Sequence, residues 1–284
     1  MKSGTTLLWR LLASHPAIHM STPKEPSYFV EPNQLRELQP WIWSQGYWRS
    51  QKIYLDLFKT SGSKTYAGEA SVYYTHLPLA TGVADRIMRF SPSARLIYIM
   101  RDPVERTISH YWHRVIHNNE CRPIEVAIKN DRQYCDVSHY SMQLAPYYKH
   151  FSNNQIKLLT LEQIIDNYDE TVRSLFCWLE VDDTITKYQL KRENETPNIV
   201  RQRMELWSRT VNLLRRSPVS RASIDLLPES IKYYARRLFT REINLLGIDI
   251  DPVMEYLQPL QRQQTKELSA LTGREFREWK ALNS

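Results

Sequence analysis

The chain has 284 residues, a formal net charge of +7 and a composition that is 42% hydrophobic and 24% charged. These values are ordinary for a globular protein and exclude collagen-like, coiled-coil and wholly disordered classes. No segment reaches the ~18 apolar residues of a membrane span, and the first residues lack the pattern of a secretory signal. The three cysteines, Cys121, Cys135 and Cys177, favour free thiols in a reducing, cytoplasmic compartment, with a disulfide between the first two as the alternative in an exported protein.

Helical and strand patterns alternate along the chain without an internal repeat or a low-complexity linker. Apolar spacing predicts helices over Thr5–Ala13, Leu77–Phe90, Val104–His117, Tyr140–Phe151 and Leu161–Leu179. Two short apolar runs, Arg95–Met100 and Gln155–Leu161, have the composition of buried parallel strands. The order predicts one α/β domain over residues 1–284, with a central parallel sheet flanked by helices in three layers and a helical, basic part over residues 192–284.

The excess of positive charge is concentrated in one stretch. Residues 192–241 carry eleven Lys and Arg against five Asp and Glu. Such a run usually forms a solvated helix face, and an acidic ligand or an anionic membrane surface is the alternative. Residues 227–246, which mix Tyr, Leu and Phe with Arg, have the composition of a segment that lies on a membrane. No nucleic-acid-binding motif occurs, so we expect no nucleic-acid partner.

The segment Lys-Ser-Gly-Thr-Thr lies where a loop enters the first predicted helix. Backbone N–H groups at a helix N-terminus, a lysine and hydroxyl donors together form a phosphate cradle, and glycine permits a close approach of the backbone. The lysine precedes the glycine, unlike the order in the nucleotide-triphosphate loop G-x-x-x-x-G-K-[ST], which argues against a kinase. The residues that we expect to bind phosphate are Lys2, Ser3, Gly4, Thr5 and Thr6.

A second candidate phosphate site follows the first predicted strand. Asp102 is the predicted N-cap of the next helix, Pro103 its first residue and Glu105 the partner in a capping box. Arg101 lies at the carboxyl end of the strand, where open parallel sheets bind ligands, and Ser109 lies two turns into the helix. We therefore expect Arg101 and Ser109 to bind a second phosphate.

Glu25 is the candidate general base. It lies in the segment Lys24–Phe29, in an aromatic setting after the first helix, and a carboxylate beside a phosphate cradle can take the proton of a hydroxyl group. The alternative interpretation is that Glu25 is an ordinary surface charge. His110 is a lesser alternative for the base. An aromatic cluster follows, which we predict to be core, with stacking on sugar rings as the alternative. Its members are Trp41, Trp43, Tyr47 and Trp48.

Five ordered segments resemble the sulfotransferases that use 3′-phosphoadenosine 5′-phosphosulfate, particularly bacterial proteins similar to the heparan-sulfate and N-acetylglucosamine branch. Lys2–Thr6 resembles the family's K-x-G-T-T loop, and Lys24–Phe29 its K-E-x-x-F-F segment. Arg101–Tyr111 is similar to its 3′-phosphate motif, and Gly68–Tyr74 stands where the family has G-E-K-[ST]-P-x-Y. Leu271–Trp279 looks like the closing L-x-G-R-D-F-x-x-W. An ordered set of motifs is far more specific than one motif.

The resemblance implies a P-loop-like fold and transfer of a sulfuryl group from the donor to a hydroxyl or amine, with 3′-phosphoadenosine 5′-phosphate as product. It implies that Glu25 is the base, that Lys2 neutralises charge on the leaving oxygen and that Arg101 and Ser109 bind the 3′-phosphate. It implies no metal, in agreement with the scattered His, Cys and Asp residues. We expect a carbohydrate or lipid-linked acceptor, with peripheral membrane contact through the basic region as an open alternative.

Three features depart from the family pattern. The family has a buried strand before the phosphate loop, whereas Lys2 already lies in that loop, so we expect the first strand to be missing and the start truncated. Ala70 replaces a lysine that many members carry, and no K-G-R loop occurs near the C-terminus. The alternatives are a P-loop kinase and a nucleotide-binding protein without turnover.

Overall fold

The computed structural model describes residues 1–118, 120–184, 197–203 and 240–284. The chain divides into two compact units, residues 1–106, 135–193 and 258–284 in the first and residues 107–134 and 194–257 in the second. The single domain that we expect over residues 1–284 stays a prediction. Most of the basic stretch 192–241 and of the candidate membrane segment 227–246 lies outside the described residues.

The elements of the described residues are bounded as follows. The helices are α1 (Thr5–Ser14), α2 (Pro32–Leu38), α3 (Pro40–Gln45), α4 (Gln51–Leu55), α5 (Val83–Phe90), α6 (Pro103–His117), α7 (Ile124–Asn130), α8 (Gln133–Asp136), α9 (Tyr140–His150), α10 (Leu161–Asp166), α11 (Tyr168–Leu179), α12 (Asp251–Thr272) and α13 (Lys280–Asn283). The strands are β1 (Ile18–Met20), β2 (Tyr66–Gly68), β3 (Leu96–Met100), β4 (Ile156–Thr160), β5 (Ile199–Arg203) and β6 (Thr240–Asn244).

The first unit contains two parallel strand pairs. β1 pairs with β2, with Ile18 opposite Tyr66, and β3 pairs with β4, with Leu96 opposite Ile156. In the second unit β5 and β6 form an antiparallel pair. Parallel strands connected through helices confirm the α/β class that the alternating patterns predict.

A solvent-open cavity of about 480 Å³ lies between the two parallel pairs. Consecutive residues of β2 and of β3 line it, and most of its wall is apolar. The two strands do not pair with each other. In the described residues the two parallel pairs are therefore separate, and they do not form the continuous parallel sheet that the sequence predicts.

Two predicted helices are shorter than expected. The helix predicted over Leu77–Phe90 begins at Val83, because Gly82 is its N-cap with a φ of 68° and Pro78 cannot donate a helical hydrogen bond. The helix predicted over Leu161–Leu179 is interrupted at Asn167, whose φ of −135° is not helical. The other predicted helices and both predicted strands agree with the structure to within two residues.

The apolar face of α1 fixes the start of the chain against the β3–β4 pair. Leu8, Leu11 and Leu12 are buried in one cluster with Ile99 of β3 and Leu159 of β4. Full burial of each leucine side chain contributes roughly 1.5–3 kcal/mol. The loop before α1 is consequently held beside the carboxyl ends of both strands.

Candidate active site at the start of the first helix

The loop before α1 has a backbone that requires glycine. Gly4 is the N-cap of α1 with a φ of 83°, in the left-handed region. A Cβ at this position would lie 2.7 Å from Cδ1 of Leu161, the first residue of α10. Gly4 therefore lets the loop pack closely on the end of β4, with the N–H groups of the first helical turn at the loop.

Tyr140 links this loop to the end of β3. Its hydroxyl group is hydrogen-bonded to the side chain of Ser3, which is buried, and donates to the carbonyl oxygen of Arg101 at 2.7 Å. The chain Ser3–Tyr140–Arg101 joins two of the segments that the sequence predicts to bind phosphate. Tyr140 itself carries no motif that could have identified this role.

Two cationic side chains are close to each other in this region. The pKa of Lys2 is lowered by burial first and by the charge of Arg101 second. Arg101 is partly buried and forms an ion pair with Glu105, with 2.7 Å between Nη2 and Oε2. Since like charges destabilise each other, anionic groups bound at Lys2 and at Arg101 would stabilise both side chains.

The cap of α6 is built differently from the predicted box. Asp102 is the N-cap, since its Oδ1 accepts from the N–H of Val104 at 3.0 Å. The box predicted with Glu105 is wrong, because Glu105 pairs with Arg101. The N–H of Asp102 donates instead to Glu162 of α10 at 2.9 Å. The end of β3 is thereby tied to the end of β4.

The ammonium group of Lys24 joins the loop to the candidate base. Its Nζ lies 3.1 Å from Oγ1 of Thr5, 3.5 Å from Oγ1 of Thr6 and 2.9 Å from Oε1 of Glu25. The side chains of Lys24 and Glu25 are 18% and 24% exposed, so the pair is reachable yet partly shielded. We did not predict Lys24 as a site residue, although its place before Glu25 in the K-E segment was the available signal.

The carboxylate of Glu69 was also missed as a site residue. It lies just after β2 and accepts hydrogen bonds from the hydroxyl groups of Tyr54, Ser71 and Tyr74. Burial raises the pKa of Glu69 to about 7. The hydrogen bonds from the three hydroxyl groups lower this pKa, and the negative charge of Glu25 raises it. Glu69 and Glu25 are therefore neighbours, and both belong to the first unit. The signal for Glu69 was its motif G-E-x-S.

Ser109 does not belong to the same compact unit as the other predicted site residues. It lies on α6 and is buried, with 8% of its surface exposed, in the second unit, whereas Arg101 lies in the first. The shared role of Arg101 and Ser109 toward a second phosphate stays a prediction.

Residues 278–282, near the end of the chain, contact the ends of β3 and β4. The N–H of Leu282 donates to Oδ2 of Asp102 at 2.9 Å, and the hydroxyl group of Thr160 donates to Glu278 at 3.0 Å. Trp279, between them in sequence, is fully buried. The segment thus holds the ends of both β3 and β4.

The aromatic cluster is only partly core. Trp43 and Trp48 are half-buried and stacked on each other, with ring centroids 5.5 Å apart, and Arg36 and Arg49 lie over their rings. Trp41 is 67% exposed, so the core prediction is wrong for this residue. The rings of Trp43 and Trp48 are engaged within the protein, and Trp41 is the exposed tryptophan of the cluster.

Three global features concern the described residues alone. No group of three or more His, Cys, Asp or Glu side chains in the described ranges is arranged to hold a metal ion. Within the same ranges, no helix is both long and apolar enough to cross a bilayer. Cys121, Cys135 and Cys177 are free thiols.

The model of the sulfotransferase family matches residues 1–184, which is more than half of the chain. The chain belongs to the sulfotransferase family. The match contains Lys2, Glu25, Glu69, Arg101 and Ser109, and it favours sulfuryl transfer over the kinase alternative. The closing segment Leu271–Trp279 lies beyond it.

Two curated relatives match a part of this chain. The membrane-associated sulfotransferase kil1 of Dictyostelium discoideum is 29% identical over 133 residues, which are 46% of this chain and 25% of that protein. The bifunctional heparan sulfate N-deacetylase/N-sulfotransferase 4 of Mus musculus is 30% identical over 120 residues, which are 42% of this chain and 12% of that protein. The match thus spans a quarter or less of each relative's length.

The fold is similar to that of a solved sulfotransferase from Alicyclobacillus acidocaldarius. The TM-score is 0.66 at 20% identity, and the likeness covers 98% of this chain and 95% of the other. This likeness confirms the P-loop-like α/β fold of the sulfotransferase.

Proposed function

We propose that the protein transfers a sulfuryl group from 3′-phosphoadenosine 5′-phosphosulfate to a hydroxyl or amine of a carbohydrate or lipid-linked acceptor. The observation that carries the proposal is the position of the Lys24 ammonium group, which contacts both Thr5 of the anion loop and Glu25. An anion site and a carboxylate are thus brought together within the part of the chain that matches the family. That combination is what in-line transfer to a protic nucleophile requires.

The donor nucleotide would be held at its two phosphate ends. The N–H groups at the start of α1, with the side chains of Lys2, Thr5 and Thr6, bind the 5′-phosphosulfate, and Ser3 and Gly4 shape the loop. Arg101 and Ser109 bind the 3′-phosphate, which distinguishes this donor from ATP.

In the chemical step the acceptor oxygen or nitrogen attacks sulfur, and the bond from sulfur to the bridging oxygen of the 5′-phosphate breaks. The electron pair of that bond goes to the bridging oxygen, where Lys2 stabilises the charge. The proton of the acceptor goes to Glu25. Each of these two contributions is worth roughly 10²-fold in rate or more.

Two names among the relatives support the choice of acceptor. One relative acts on heparan sulfate, a carbohydrate, and another is membrane-associated. We propose a cytoplasmic protein with a carbohydrate acceptor, and a peripheral membrane contact where that acceptor is lipid-linked. A nucleotide-binding protein without turnover is the competing function.

The test has two parts. Thermal melting with 3′-phosphoadenosine 5′-phosphate, AMP or Mg·ATP should show selective stabilisation by the bisphosphate, because a ligand of the native state stabilises by mass action. Radiolabelled donor should then label a soluble oligosaccharide or a lipid-linked saccharide, with Glu25→Gln lowering kcat about 10²-fold and the exposed control Glu37→Gln leaving it unchanged. Selective stabilisation without transfer to any acceptor would favour the silent nucleotide binder, and stabilisation by Mg·ATP alone would favour a kinase.

A further inference from the structure

The carboxylate of Glu69 is surrounded by hydroxyl donors. Tyr54 donates to Oε1 at 3.0 Å, Tyr74 donates to the same oxygen and Ser71 donates to Oε2. An ionised carboxylate only accepts hydrogen bonds, so three converging donors match the ionised form of Glu69. A protonated carboxyl would bring an O–H of its own into the cluster and leave one hydroxyl in need of another acceptor.

Two of these hydroxyl groups also hold the backbone of the segment that carries Glu25. Oγ of Ser71 accepts from the N–H of Ser27 at 2.9 Å. The hydroxyl oxygen of Tyr74 accepts from the N–H of Phe29 at 3.3 Å. The carboxylate of Glu69 therefore orients both hydroxyl groups, because each must donate to it and can then accept from the segment.

The backbone of this segment needs such support. Ser27 has a φ of 52°, in the left-handed region that residues other than glycine rarely occupy, and it is fully buried. Residues in this region persist where their surroundings hold them. On the other side of Glu25, the N–H of Ala70 donates to the carbonyl oxygen of Lys24 at 3.1 Å. The residues that follow β2 thus hold the segment both before and after Glu25.

We propose that Glu69 is a positioning residue for proton transfer, which holds the Glu25 segment in place through the hydroxyl groups of Ser71 and Tyr74. The proposal rests on the proposed function, in which Glu25 is the base. Glu69 itself needs no contact with the acceptor. Its effect is on the geometry of Glu25, where a displacement of about 1 Å can cost 10²-fold in rate.

The titration of Glu69 gives this role a pH dependence. Burial raises its pKa to about 7. The titratable groups that face it are Tyr54 of α4, Tyr74, Tyr147 of α9 and Glu25. As the pH falls below 7, protonation breaks the pattern of donors and acceptors, and the segment loses its support. The acidic limb of the kcat profile is therefore expected to contain the titration of Glu69.

The variants Glu69→Gln and Ser71→Ala test the proposal. Ser71→Ala removes the hydroxyl group that connects Glu69 to the N–H of Ser27, without changing a large buried side chain. If Glu69→Gln does not fold, Ser71→Ala alone tests the proposal. Tyr148→Phe is the matched control, because this half-buried tyrosine packs against the same hydrophobic core cluster as Tyr54 and Tyr74. Three measurements apply to each variant: kcat against pH, stabilisation by 3′-phosphoadenosine 5′-phosphate, and amide hydrogen exchange of residues 24–29.

We expect both variants to lower kcat by about tenfold or more, to keep the stabilisation by the bisphosphate and to exchange faster over residues 24–29. In Glu69→Gln the acidic limb of kcat should move to lower pH, which a merely structural defect would not cause. Unchanged exchange over residues 24–29 in both variants would overturn the proposal, as would an unchanged acidic limb. If the wild-type protein transfers no sulfuryl group, the proposed function fails, and the exchange measurement alone decides the positioning role.

Discussion

The substitution Gly4→Ala tests the geometry of the anion loop most directly. A φ of 83° costs a residue with a Cβ roughly 1–2 kcal/mol. The new Cβ would lie 2.7 Å from Cδ1 of Leu161, well inside van der Waals contact, so that side chain must move, at about 1–3 kcal/mol. The free energy of unfolding should therefore fall by roughly 2–5 kcal/mol, which lowers Tm by roughly 3–8 °C for a chain of 284 residues.

The same substitution should also abolish donor binding, because the loop must shift away from α10 to admit the methyl group. Gly273→Ala is the matched control, since Gly273 has a φ of 69° and a Cβ there would meet no heavy atom within 4 Å. Gly273→Ala should lower the free energy of unfolding by roughly 1–2 kcal/mol, through backbone strain alone. At a concentration of 100 Kd, 3′-phosphoadenosine 5′-phosphate stabilises a competent protein by about 2.7 kcal/mol.

Thermal melting with and without this nucleotide separates the loss of stability from the loss of donor binding. We expect Gly273→Ala to keep the increase in Tm on adding nucleotide and Gly4→Ala to lose it. A full increase in the Gly4→Ala variant would refute the reasoning, because it would mean that the loop binds the donor without the close packing on Leu161.

Three further predictions concern the surroundings of the loop. Lys24→Met should lower kcat about 10²-fold, because it separates Thr5 from Glu25, whereas the exposed control Lys52→Met should not; equal rates in both variants would contradict this. Because folding raises the pKa of Glu69 from its ordinary 4.5 to about 7, the folded protein binds this proton more tightly. Its contribution to the free energy of unfolding, up to about 3 kcal/mol, is fully present below pH 4.5 and lost as the pH rises to 7. Denaturant titrations across this window should show the loss in the wild type and not in Glu69→Gln. Trp279→Ala should destabilise by about 3–5 kcal/mol because the side chain is fully buried, and a smaller loss would mean that the closing segment is not docked.

The parts of the fold that the sequence predicts are those encoded by local patterns. α1 and the β3–β4 pair follow from apolar spacing over five or more residues. β1 and β2 have three residues each, which is too short for a period to be recognised, and they were not predicted. The interruption at Asn167 was missed because the apolar positions on both sides continue the same helical period.

The residues of the candidate site follow the same rule, because local arrangements were predicted and contacts between distant residues were not. Lys2 and Gly4 are recognisable because a loop entering a helix is a local arrangement. The proposed role of Glu69 depends on hydrogen bonds from Ser27 and Phe29 to hydroxyl groups that lie 44 and 45 residues away in sequence and that no spacing rule selects. Lys24 is an intermediate case, because its motif is visible in the sequence but its contact with Thr5 is not.

The packing of Gly4 on Leu161 also orders events during synthesis. The anion loop leaves the ribosome before β4 and α10, the strand and helix that support it, which follow about 160 residues later. At roughly 5–20 residues per second, the nascent chain waits about 10–30 s before the two can meet. During that interval the apolar face of α1 has no partner from β4 and remains exposed to chaperones. The anion loop is thus translated about 160 residues before the strand and helix that complete it.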